Sequence, residues 1–209
     1  MKKILILLVV FTTTFSFSQT INKDGNGYTE VVTVDSIKKT EIYNKLKEWI
    51  GINYKSANDV IQLDSEGKII AKGNFVVSFN VAKYSFNYRI SNNLIFGVRE
   101  GRFKIDLIPT GVTSVSYPKA IVDVSFIRKY ISEEIMSKPE FLKLSKEAAK
   151  LVYINMGYNN KKVVKLLAKQ DKNIDSGYSD YLTNFKTFQA EIKSIFTSIK
   201  DKVLEKDEW

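Results

Sequence analysis

Two short runs, 94–99 and 102–107, alternate apolar and polar residues and are separated only by Glu100 and Gly101. A two-residue link containing Gly joins antiparallel strands, and it sets Arg99 opposite Arg102. With that pairing Leu94, Phe96 and Val98 share a face with Phe103, Ile105 and Leu107, while Arg99, Arg102, Lys104 and Asp106 share the other. Both strands agree on which face is apolar, and a slip of one residue would destroy the agreement. The rest of the chain must therefore cover one face of an antiparallel sheet.

Several flanking segments extend that sheet. Residues 28–34, rich in Val and Thr, read as a strand; 75–81 and 86–90 alternate in the same way. Residues 60–64 and 68 onward flank Ser65, Glu66 and Gly67, a three-residue loop that sets Asp64 opposite Lys68. Between the first strand and this hairpin, Ile42, Leu46, Trp49 and Ile50 recur at helical spacing. They predict a helix over 37–50, started by Asp35 and Ser36, stopped by Gly51, and anchored by Trp49. One strand, one helix and a meander make a two-layer α+β fold, an antiparallel sheet with helices packed on it.

The C-terminal part is helical. Phe141, Leu144, Ala148 and Leu151 mark a helix with Pro139 in its first turn, and 170–179 is polar enough to read as a loop. Phe185, Ile192 and Ile199 recur every seven residues in a last, long amphipathic helix. A coiled-coil seam is one reading of that spacing. The aromatic residues in the stripe suit docking on a sheet better, with the chain monomeric. The expected organisation is a signal peptide over 1–18, a flexible lead-in over 19–27 and a sheet core over 28–112. A mostly helical insertion over 113–179 and the docked helix over 180–205 follow.

Three stretches carry a family resemblance: YTEVVTVDSIKKTEIYNKLKEWI from Tyr28, SANDVIQLDSEGKIIAKGNF from Ser56, and VREGRFK from Val98. In this order they resemble a family of exported proteins of unknown function from Gram-negative bacteria. The resemblance spans about 28–112 and implies a fold like that of the TATA-binding protein. It brings no catalytic or ligand residues with it.

The N-terminus reads as an export signal. Lys2 and Lys3 precede an apolar run over 4–11, and Ser16, Phe17 and Ser18 fit a small-x-small cleavage pattern before Gln19. That run is shorter than the roughly 20 residues a membrane-spanning helix needs. The expected destination is the periplasm or the extracellular space. The chain has 0 His and 0 Cys. This excludes disulfides, His/Cys metal sites, Ser-His-Asp triads and cysteine nucleophiles.

Function has fewer handles. The net charge of +9 can mark a nucleic-acid binder, but an exported chain meets little nucleic acid, and many lysines fall among acids on helix faces. Arg99 and Arg102, facing each other, could grip a carboxylate or phosphate; the ordinary alternative is neutralisation by Glu100 and Asp106. Arg99, Arg102, Lys104 and Arg89 are the candidate ligand residues. No catalytic residue, metal site or cofactor is expected. The expected function is a non-enzymatic binding or accessory module of the cell envelope, with an anionic envelope component or another envelope protein as partner. Two alternatives stand beside it: a carboxylate-based enzyme acting on glycan or peptide, and an assembly protein using its last helix.

The cleavage pattern generates the first prediction. Intact-mass measurement on protein from the native host should give a mature chain beginning at Gln19; a species retaining residues 1–18 would refute it.

Overall fold

The hairpin read from the sequence lies inside a larger antiparallel sheet. The computed structural model describes residues 20–206 except 23, 55, 56, 66, 82, 83, 117–120, 123, 124, 133, 156 and 173. The export signal expected over 1–18 therefore lies outside the described residues. Among them the strands are β1 (Thr20–Ile21), β2 (Tyr28–Thr33), β3 (Ile61–Ser65), β4 (Lys68–Val81), β5 (Tyr84–Arg99), β6 (Arg102–Ser114) and β7 (Ile121–Val122). They run in the order β1-β2-β6-β5-β4-β3, with β7 paired to β6. The helices are α1 (Lys39–Asn53), α2 (Ala57–Val60), α3 (Ser125–Arg128), α4 (Lys138–Asn155), α5 (Asn160–Lys172) and α6 (Ile174–Leu204).

Arg99 stands opposite Arg102, and Leu94, Phe96, Val98, Phe103, Ile105 and Leu107 are all buried. The two-layer α+β reading holds. A bulge at Ser91/Asn92 lets two residues of β6 answer one of β5. Beyond it the apolar parity of β6 changes, so that Val112 rather than an odd-numbered residue turns to the core.

Both long helices near the sheet lie on this apolar face. From α1, Ile42, Leu46, Trp49 and Ile50 are buried, and the Trp49 ring meets Phe96 edge-on. From α6, Phe185, Phe188, Ile192, Phe196, Ile199 and Val203 are buried, with Phe188 against Phe75, Phe79 and Tyr28. The seven-residue recurrence in α6 is thus a stripe covered by the sheet. Trp49 Nε1–H donates to Ser198 Oγ at 2.9 Å and ties the helices together.

Polar contacts fix α6 along its length. Lys200 reaches under the sheet to Glu30 on β2, Nζ to Oε1 2.9 Å, with both side chains largely withdrawn from water. Asn184 takes both the N–H and the C=O of Asn80, at 2.7 and 2.9 Å, in place of a neighbouring strand at the edge of β4. The Gln189 amide donates to Tyr28 Oη and to the carbonyls of Tyr130 and Ser132. Tyr28 donates in turn to Tyr130 O. Burial raises the pKa of both tyrosine hydroxyls, that of Tyr130 to about 12.

Five sequence expectations need correction. Helix α1 starts at Lys39, not Ile37, because its first N–H is capped from outside: Glu100, in the β5–β6 turn, accepts from Lys39 N–H at 3.1 Å. Gly51 does not stop it, since the backbone bonding continues until Tyr54 N–H meets Ile50 O. Ser65, not Asp64, faces Lys68; Asp64 turns toward α1, where Tyr43 donates to it and Lys47 pairs with it. The polar stretch 170–179 is largely helical, because α6 begins at Ile174. There Asp175 pairs with Lys138, and Tyr178 donates to Met136 O. The lead-in also holds structure: Thr20 and Ile21 pair with Thr29 and Tyr28 around a loop closed by Asn22 and Asn26.

Trp49 is only 5% exposed and touches both layers. Trp49→Ala should cost about 3 to 5 kcal/mol in urea unfolding; a loss below about 1 kcal/mol would show that the helix–sheet contact carries little of the stability.

Candidate functional site

The sheet has a second face. Alternation places Thr29, Val31, Thr33, Lys68, Ile95, Gly97, Arg99, Arg102, Lys104 and Asp106 there, opposite the buried rows. Val31 is 59% exposed and Val76 45%, so no described element covers them. An antiparallel sheet with one wet face is ordinary. The distribution of charge on this one is not.

The register arranges the face in rows. Thr33, Arg102 and Arg99 form the row nearest the turn; Val31, Lys104, Gly97 and Lys68 form the next; Thr29, Asp106, Ile95 and Ile70 form the third. Gly97 has no side chain, so the centre of the middle row is a gap. Around it opens a hollow of about 580 Å³ lined by Lys68, Arg99, Arg102, Lys104, Asp106 and Val31 among others. That volume is typical of small-ligand sites.

Neither acid near in sequence answers the arginine pair. Glu100 is committed to the N-terminus of α1. Asp106 accepts from Thr29 Oγ1 at 2.7 Å and pairs with Lys104 Nζ at 2.9 Å. Asp35 lies against the Gly101 backbone at the turn without an ion pair to either arginine. Among the described residues Arg99 and Arg102 have no ion-pair partner. Like charges placed directly opposite each other are destabilising, and no acid among the described residues pairs with them to offset the cost.

Of the four residues singled out from the sequence, Arg99, Arg102 and Lys104 come together around the hollow. Arg89 shares the face but sits eight residues along β5 from Gly97, on the order of 25 Å away at about 3.3 Å per residue. Lys68 and Gly97 were not singled out. Only the β4–β5 register brings them into the row, and that register needs both strands paired over their full lengths.

A second hollow, about 450 Å³, lies between α4 and the segment before it, lined by Lys129, Glu134, Glu140, Glu147 and Tyr181 among others. Glu140 looks like a candidate acid, yet its carboxylate accepts from both the hydroxyl and the N–H of Ser137, a capping box at the start of α4. Those bonds hold its pKa below the ordinary carboxylate value, the reverse of what a general acid requires. Among the described residues no cluster of three Asp or Glu side chains could hold a metal ion, and no helix is long and apolar enough to cross a membrane.

Comparison with known proteins bears on the sheet core. Residues 28–108 match a family model described as "Domain of unknown function (DUF4468) with TBP-like fold". This is the family type that the three sequence stretches resemble. No curated protein matches the chain. One similar solved structure is that of a DUF4468 family protein from Bacteroides ovatus. It has 14% identity and a TM-score of 0.43, over 78% of this chain and 88% of that one. Another is a TBP-like protein from Parabacteroides distasonis. It too has 14% identity, with a TM-score of 0.35 over 44% of this chain and 59% of that one.

Proposed function

We propose that the chain, whose residues 28–108 carry a TBP-like domain of unknown function, is an exported, non-enzymatic binding module that holds an anionic component of the cell envelope on its open sheet face. One observation carries the reading. Among the described residues, helices α1 and α6 occupy one face, while the other is uncovered and concentrates Lys68, Lys72, Arg89, Arg99, Arg102 and Lys104 against the carboxylate of Asp106.

A module that only binds needs a fixed surface and no proton traffic. The sheet supplies the surface, since its strands are held from below by the aromatic layer. The reading of an enzyme working through carboxylates is disfavoured by the Ser137–Glu140 capping box, which uses Glu140 to start α4. Assembly through α6 is disfavoured because its apolar stripe already lies against β4 and its neighbours.

Titration of the mature chain with a heparin hexasaccharide, used as a generic polyanion, tests the reading by backbone NMR. Shifts should concentrate on the open-face residues of β2, β4, β5 and β6 and should fade as salt is raised from 50 to 500 mM, as exposed charges are screened (to a Debye length of about 3 Å at 1 M). Shifts centred on the lysines of α4 and α5 would contradict it.

A further inference from the structure

Gly97 is a strand-centre glycine on the open face that the fold does not explain; Gly111, on the same face, adjoins the bulge at Ser91/Asn92. A glycine inside a strand weakens it, because the backbone loses more freedom on folding and no side chain packs. Gly73, on the neighbouring strand, has a reason to be glycine: a Cβ there would lie 2.2 Å from the Tyr54 hydroxyl. Gly97 has no such reason. A Cβ added to it would meet only Lys104 Cβ, at the ordinary contact distance of 3.9 Å, and its φ is not in the left-handed region. The remaining use for a bare backbone at a strand centre is close approach by another molecule.

What surrounds the gap selects the approaching chemistry. Lys68 and Lys104 flank Gly97 in its own row, and Arg99 and Arg102 stand in the next. Among the described residues that line the hollow, four cations stand against one carboxylate, itself bonded to Lys104 and Thr29, an excess of three positive charges. Two guanidinium forks and two ammonium groups offer more donors than the two oxygens of a carboxylate can use. A phosphomonoester, with three terminal oxygens and up to two negative charges, answers more of these donors and more of this charge than a carboxylate does. Val31, 59% exposed, and Ile95 border the same hollow and offer an apolar floor for the carbon part of such a molecule.

We infer that the hollow over Gly97 is a phosphomonoester subsite, in which Arg99 and Arg102 clamp the phosphoryl oxygens, Lys68 and Lys104 complete the charge, and the ester carbons rest on Val31 and Ile95. The inference rests on the reading of the open face as a binding surface and names the ligand class that its best-defined point takes. The ligand is a phosphomonoester group of a soluble envelope component rather than a membrane surface. A membrane presents its headgroups as a plane and has no need for a gap one residue wide.

The Gly97→Val variant is the direct test. Its Cβ meets no backbone and valine suits a strand, so its urea midpoint should equal or exceed that of the natural chain. Glycerol 3-phosphate and inorganic phosphate should shift the Gly97 and Lys104 amides of the natural chain saturably. Acetate at equal ionic strength should bind at least tenfold more weakly. Gly97→Val and, separately, Arg99→Gln/Arg102→Gln should each weaken the phosphate response at least tenfold. An unchanged response in Gly97→Val, or equal responses to acetate and phosphate, overturns the subsite. So does binding to phosphatidylglycerol vesicles without any response to the soluble phosphates, which assigns the face to a membrane surface. If the heparin response persists on the open face while phosphate gives none, the subsite is wrong and the binding face stands. If neither probe acts there, both fall.

Discussion

Everything in this molecule depends on burying one face of a sheet, and on which helix does most of the covering. A two-layer fold has one interface, so each strand must present its apolar residues to the same side. Helix α6 supplies the larger share of the cover through Phe185, Phe188, Ile192, Phe196 and Ile199. It does not merely rest there. The Lys200–Glu30 pair at 2.9 Å joins its C-terminal half to β2, and Asn184 holds β4 through the Asn80 backbone. A buried ion pair is weak evidence for net stability, because desolvation offsets the attraction. It does penalise misplacement, since a shifted helix would leave two charges unpaired under the sheet; Glu30 Oε2 already lacks a partner there.

One-sided cover has a consequence on the other side. With both long helices on the apolar face, the polar face has nothing of the described chain to bind, so its composition is free of packing demands. Random surface would mix signs. The rows from Arg99 to Asp106 instead gather cations around a glycine, while the nearest acid in sequence, Glu100, serves α1. The same turn thus does two jobs. Glu100 caps the start of α1, and the strands leaving the turn carry the arginines on the opposite face.

Much of this was legible in the sequence, for a physical reason. Strand alternation and a two-residue turn determine register locally, so the pairing of Arg99 with Arg102 and the face shared by Leu94 to Leu107 followed from residues a few positions apart. The stripe through Trp49 followed from helical spacing in the same way. What could not be read required contacts between distant segments. The cap on α1 comes from Glu100, sixty-one residues beyond Lys39. Lys68 reaches the hollow only through pairing with Gly97, and the start of α6 is held by Lys138 and Met136 across polar sequence that looks like a loop. Gly97 itself reads as an ordinary small residue until the space above it is seen.

The central claim is that α6 and the sheet are one cooperative unit, leaving the opposite face as the free surface. Native-state hydrogen exchange on the chain addresses it residue by residue. The account predicts that the amides of Phe188, Ile192 and Phe196 in α6 open with the same free energy, and the same urea dependence, as those of Leu94, Phe96 and Ile105 in the sheet. Exchange of α6 at a distinctly lower free energy, with the sheet still protected, would contradict it.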